Sequence, residues 1–211
     1  MANGNLYDNR RIVEKYLSHK LSKHGHAGEL HVCGASSPDA PETQTEEEER
    51  GRDGARRANL HRALREAGDE LESLFRPDLA DLTKQLRAAT PAGSEQRRFA
   101  AVADELFREG VNWGRVVAFF EFGATMCVQC APETERSARA ENIARWMAEY
   151  LNGPLSGWIQ ENGGWDAFVE LYTRKKDTVF SSSWPSLTTS VFSLAALGAV
   201  GLTIGAFLTQ K

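Results

Sequence analysis

Three cysteines in 211 residues are too few, and odd in number, for a disulfide framework, and they fit a reducing compartment. Only Cys127 and Cys130 stand close together. No second pair and no histidine lies near them, so a zinc site would lack two ligands and buried, inert thiols are expected instead. The five histidines, His19, His24, His26, His31 and His61, show no metal-ligand spacing and are expected to be solvated. A net charge of −4 offers no basic excess to a nucleic-acid partner. The first residues are polar with no apolar stretch behind them, so no secretory leader is expected. Alternating strand patterns of useful length are missing. A GxSxG elbow, a phosphate loop, a paired His/Cys nucleophile and a metal cluster are missing too. The chain therefore reads as a non-enzyme without cofactor or metal.

What is present is helical periodicity, and the fold class expected is all-α. Asp8 can cap a helix whose stripe is Ile12, Val13, Tyr16, Leu17 and Leu21. Leu60, Leu64, Ala67, Leu71 and Leu74 form a second stripe. Pro77 is expected to open a short third helix carrying Leu79, Leu82 and Leu86, and residues 94–109 a fourth with Phe99, Val102, Leu106 and Phe107. Residues 112–130 carry only Arg115 and Glu121 as charges, so that helix must be buried on all sides. Residues 133–152 follow as its amphipathic partner, with Ile143, Trp146, Met147, Tyr150 and Leu151 inward. Pro154 opens a short helix through Ile159, and Gly163-Gly164 turns the chain into residues 165–172.

Two segments connect these elements to the rest. Residues 32–57 contain GASSPDAPETQT, then Glu46 to Glu49, then Arg50, Arg52, Arg56 and Arg57, and so little apolar surface predicts a disordered linker. Near the C-terminus, LTTSVFSLAALGAVGLTIGAFL carries no charge. A helix of that length rises roughly 33 Å, enough for a bilayer core. Arg174, Lys175 and Lys176 supply a cytoplasmic positive flank. The expectation is a post-translationally inserted tail anchor, the other reading being a buried hairpin helix. Gly201 and Gly205 give a GxxxG spacing on which two anchors could pair. The expected organisation is thus an N-terminal helix in 1–31, a linker 32–57, a bundle 58–173, a linker 174–186 and a transmembrane span 187–208.

Four segments carry a further likeness. LHRALREAGDELESLF (60–75), ELFREGVNWGRVVAFFEFG (105–123) and WIQENGGWDAFVELY (158–172) resemble three homology segments of the B-cell lymphoma two family of apoptosis regulators. YDNRRIVEKYLSHKLSKHG (7–25) resembles the family's fourth, N-terminal segment. The order matches, and YDNR, NWGRVVAFFEFG and the GAFLTQK ending are most similar to the survival branch. The resemblance implies a helical bundle around a central apolar hairpin, with a surface hydrophobic groove that accepts an amphipathic partner helix.

By match to family positions, the groove wall comprises Leu71, Phe75, Leu82, Val102, Leu106, Val117, Ala118 and Phe122, with Tyr172 near one rim. Arg115 would hold the partner's aspartate through two parallel hydrogen bonds, Asn112 would bond the same carboxylate, and Gly114 would let the partner backbone approach. For Arg115 an intramolecular carboxylate such as Asp69 is the alternative. Val102, Val117 and Ala118 read equally as core, and Trp113, Trp158 and Trp165 as packing residues. The chain's own copy of the partner motif is Leu60, Leu64, Gly68 and Asp69, in the pattern LxxxGDxL. Leu71 and Phe75 stand where the family most often has Phe and Tyr, which would reshape pockets.

The implied function is anti-apoptotic. The protein would sequester single-motif death proteins and Bax-like effectors, and so prevent mitochondrial permeabilisation and cytochrome c release. It would act from the outer mitochondrial membrane and the endoplasmic reticulum or nuclear envelope, facing the cytosol, and homo- or heterodimers are compatible with the fold. A pro-apoptotic pore effector of the same fold is the alternative reading.

Overall fold

Asp8 stops the chain in extended backbone and its carboxylate accepts the Arg10 N–H at 2.9 Å, which launches the first helix. The computed structural model describes residues 6–26, 44–88, 95–129 and 136–177, the side chains of 44–50, 75–88, 129 and 175–177 excepted. Helix α1 (Asn9–Lys23) buries Ile12, Val13, Tyr16, Leu17 and Leu21, the expected stripe. It ends where Gly25 takes a φ of 84°: the Gly25 N–H bonds Ser22 O at 3.1 Å and the His26 N–H bonds Leu21 O at 2.8 Å. That pair is a Schellman motif, whose left-handed residue favours glycine.

Helix α2 (Gln44–Ala88) departs from expectation at both ends. It begins inside the segment expected to be a disordered linker, so residues 44–57 are helical. The run Glu46 to Glu49 lies near its N-terminus, where the helix dipole favours negative charge. Arg56 then ties the segment down by pairing with Asp166. The helix also runs across Pro77 instead of restarting there, forgoing one backbone hydrogen bond.

Helices α3 (Glu95–Phe107), α4 (Trp113–Gln129), α5 (Arg136–Asn152), α6 (Ser156–Glu161) and α7 (Gly164–Asp177) follow. Residues 174–177, expected as linker, thus extend the last helix. Gly163 and Gly164 both have positive φ at that turn.

Helix α4 is the axis of the bundle. Val116, Phe119, Phe120 and Cys127 are fully buried, and α1, α2, α3 and α5 all pack on it. Its partner α5 turns Ile143, Ala144, Met147 and Leu151 inward. Gly123 permits their close approach, since a Cβ there would collide with the Met147 thioether. Two aromatic clusters fill the space around the pair. Phe99 stacks on Phe122 with centroids 5.5 Å apart and tilts against Phe119 and Trp146, joining α3, α4 and α5. Trp113 meets Trp158, Trp165 and Phe168 at 5.1–5.6 Å, joining α4 to α6 and α7. The tryptophans are packing residues, as expected.

The N-terminal YDNR string closes the bundle. Tyr7 donates to Asp166, Asn9 accepts from Trp165 Nε1 at 2.8 Å and donates to Asn152 at 2.8 Å, and Arg10 pairs with Glu14. The histidine expectation holds only for His24, which is exposed. His19, His26 and His61 are half-buried, and His31 lies outside the described residues. Cys127 is buried, whereas Cys130, residues 32–43 and the apolar span 187–208 lie outside the described residues. Among the described residues no helix is long and apolar enough to cross a membrane.

Candidate partner-helix site

Asn112 caps α4, its side-chain carbonyl accepting the Arg115 N–H at 2.9 Å. That cap fixes the amide so that its NH2 group remains the donor available to a carboxylate. Arg115 sits one turn into the helix and is 5% exposed. Its guanidinium pairs with Glu109 at 2.9 Å and donates to the Gly110 carbonyl. Gly110, with φ of 105°, makes the turn that brings this carbonyl round. The Glu109 side chain stays 55% exposed. A deeply held cation is therefore neutralised in the free chain by a carboxylate lying at the surface.

The described side chains expected to form a wall beside Arg115 lie in the core of this structure. Val102 and Leu106 on α3, and Val117, Ala118 and Phe122 on α4, are all buried members of one core cluster. Each is at most 5% exposed, and α3 packs on α4 through Phe99 against Phe119 and Phe122. Gly114 is half-buried beside Arg115. Leu71 of α2 is also fully inside, 1% exposed. Phe75 and Leu82 belong to α2, but their side chains lie outside those described. Tyr172 stands apart on α7, stacked on Phe168 at 6.2 Å. Burial, then the acidic Glu70, Glu66 and Asp69 of α2, push its hydroxyl up to about 12, so it stays protonated.

The chain's own LxxxGD helix faces the interior. Leu60 and Leu64 are fully buried, and Gly68 lies against α1 and α4. A Cβ on Gly68 would fall within contact distance of the Tyr16 hydroxyl and the Glu121 carboxylate. Asp69 does not reach Arg115; the intramolecular carboxylate that pairs with Arg115 is Glu109 instead. Asp69 bonds Lys20 at 2.8 Å and Lys23 at 3.0 Å, because Gly68 seats this turn of α2 against α1.

Those lysines belong to a network the sequence reading missed. Lys20, 1% exposed, also pairs with Glu72 at 3.0 Å and with the buried Glu121 at 2.6 Å, and Tyr16 donates to Glu121. Burial opposes the Lys20 charge, but Glu121 with Asp69 and Glu72 outweighs it and raises the ammonium pKa. Burial also raises the Glu121 carboxyl, which Lys20 and Tyr16 only partly offset. Burial disfavours charge on Asp69 and Glu72 as well, yet the two lysines hold both below the usual range. The available signal was a single glutamate in FFEFG, which needs a buried cation.

Among the described residues no group of three or more His, Cys, Asp or Glu is placed to hold a metal ion.

Residues 64–165 match the family described as apoptosis regulator proteins, Bcl-2 family. The chain is 45% identical over 230 aligned positions to the apoptosis regulator Bcl-2 of Gallus gallus, covering 97% of each protein. It is 42% identical over 233 positions to the protein of that name from Canis lupus familiaris, again covering 97% of each. To Bcl-2-like protein 1 of Homo sapiens it is 55% identical over 115 positions, covering 54% of this chain and 48% of the relative.

Proposed function

Because the chain belongs to the Bcl-2 family of apoptosis regulators, we propose that it restrains cell death by capturing amphipathic helices of pro-apoptotic relatives between α3 and α4, with Arg115 holding their aspartate. It is an anti-apoptotic regulator, not an enzyme. The carrying observation is the buried Arg115 whose carboxylate partner, Glu109, lies at the surface. A buried guanidinium needs an anion, and an incoming aspartate can take the place of Glu109 without uncovering the cation. The apolar faces of α3 and α4 then receive the partner's apolar side chains, each worth roughly 1.5–3 kcal/mol on burial. Single-motif death proteins and Bax-like effectors are the partners. The uncharged span 187–208 anchors the molecule in the outer mitochondrial and endoplasmic reticulum membranes, with the bundle in the cytosol.

The test is cytochrome c release from isolated mitochondria challenged with an activating LxxxGD peptide. Added full-length protein suppresses release, and Arg115→Ala abolishes the suppression. In direct titration the same variant loses about 2–5 kcal/mol of peptide affinity, because the partner's aspartate is left buried without its cation. Unchanged affinity would remove the ion pair from the mechanism. Enhanced release by the parent protein would make the chain a pore effector.

A further inference from the structure

Away from Arg115, α1 and α2 enclose a second feature, a cleft of about 840 Å³. Lys15, Ser18, His19 and Ser22 face it from α1, and His61 and Arg65 are among the residues facing it from α2. The i, i+3, i+4, i+7 spacing places each set on one side of its helix. Lys15 acts on His61, Arg65 acts on His19, and Lys23 is paired with Asp69 and Glu72. The two helices thus oppose one another in parallel register, with their cations converging.

Among the described residues, Lys15, His19, His61 and Arg65 make no hydrogen bond or ion pair, and Arg65 Nε is buried without a partner. This contrasts with the rest of α1, where Arg10, Lys20 and Lys23 are all paired. Asp69 and Glu66 line the cleft, but Asp69 is already neutralised by Lys20 and Lys23. A half-buried guanidinium whose Nε lacks a partner, set among ammonium, imidazole and hydroxyl groups, is a complement without its anion.

We infer that the α1–α2 cleft binds a phosphate group, presented by a lipid headgroup or by a small soluble molecule, through Lys15, His19, His61 and Arg65 with Ser18 and Ser22 donating. A tetrahedral phosphate accepts hydrogen bonds from several directions, which suits donors arriving from two helices, whereas a carboxylate accepts in one plane. The imidazoles couple this binding to pH. Burial, then Lys15, Arg65 and Arg57, hold His61 down to about 4. His19 is lowered by burial and by Arg65, Lys20 and Lys23, against Asp69. An anion raises both, so binding takes up protons.

The test uses the full-length protein in detergent micelles, titrated with inorganic pyrophosphate at fixed ionic strength. A second arm measures sedimentation with vesicles containing phosphatidylinositol 4-phosphate, against phosphatidylserine vesicles of equal charge. Arg65→Gln and the exposed Lys15→Gln are each expected to weaken binding about tenfold with helicity unchanged. Lys15→Gln carries the test if Arg65→Gln fails to fold. Pyrophosphate binding identifies a soluble ligand, and binding confined to the phosphoinositide vesicles a lipid one. Equal binding to phosphatidylserine, equal affinity in the folded variants, or binding to neither probe overturns the inference.

Discussion

Lys20 shows how one side chain decides whether three helices can meet. It is the cation closest to Glu121, and it reaches across to Asp69 and Glu72 while buried in the α1 stripe. Lys20→Met is expected to destabilise the fold by about 3–5 kcal/mol, since it leaves Glu121 charged and unpaired. Adding Glu121→Gln should recover part of that loss, because the amide carbonyl still accepts from Tyr16. Chemical denaturation of the two single variants and the double variant measures the coupling, and simple additivity would refute the pairing. The parent combines both signs, since the raised Glu121 carboxyl favours folding as pH falls towards 4.5 whereas the lowered Asp69 and Glu72 do not. In the parent, Asp69 and Glu72 have lowered folded values, so their contribution is lost only as pH falls below 3.8–4.5. In Lys20→Met, Glu121 keeps the Tyr16 hydroxyl but loses its cation, so its value rises further. That variant should gain stability between pH 7 and the ordinary 4.5 of a glutamate. The sequence held only half of this. Asp69 is legible as part of LxxxGD, but its partners lie 49 and 46 residues upstream. No local pattern reports so distant a pairing.

Helix α2 marks where composition misleads about elements. The stripe Leu60, Leu64, Ala67, Leu71 was readable because one buried face repeats every three or four residues, but Leu74, expected to continue it, is 60% exposed. The stretch before it has no such face: Gly51, Arg52 and residues 54–59 are exposed. A reading based on apolar burial therefore calls it a linker. What holds it is tertiary, the contact of Arg56 with Asp166, which Tyr7 also engages. Burial alone would raise the Asp166 pKa, but Arg56 and Tyr7 hold it below its ordinary value. Asp166→Asn should therefore speed hydrogen exchange of amides in residues 51–58 while leaving α4 protected. The pair is largely exposed, so the change in global stability should stay under about 1 kcal/mol. Unaltered exchange there would mean that α2 holds its N-terminal half without α7. The central hairpin was legible for the opposite reason: an all-round apolar helix must be buried, in a bundle or a membrane, and the charges near its start favour the bundle. The candidate site lay between these cases, with Arg115 and Asn112 found from NWGR, and Glu109 overlooked because its role depends on the turn at Gly110.

Capture of a partner helix must also be reconciled with a molecule whose receiving surface is closed. Val102, Leu106, Val117, Ala118 and Phe122 are at most 5% exposed before any partner arrives. Either α3 moves away first, or the incoming helix displaces it. Two polar contacts latch α3 onto α5: Arg139 pairs with Glu95 at 2.8 Å, and Tyr150 donates to Asp104 at 2.8 Å. If opening precedes capture, the observed rate must level off at high peptide concentration, at the opening rate itself, and apparent affinity is reduced by the open fraction. Tyr150→Phe removes one latch while keeping the ring that packs on Phe107 and Phe119. The lost bond lies at the surface, so its net worth is about 0.5–1.5 kcal/mol. The plateau rate should then rise about two- to tenfold, and apparent affinity should strengthen because the open state is less rare. Stopped-flow fluorescence with a labelled LxxxGD peptide separates the cases. A rate that climbs linearly without a plateau, and is indifferent to Tyr150→Phe, would show that the partner enters without waiting for α3. Arg115 would then be reached from the Glu109 side, by exchange of one surface carboxylate for another.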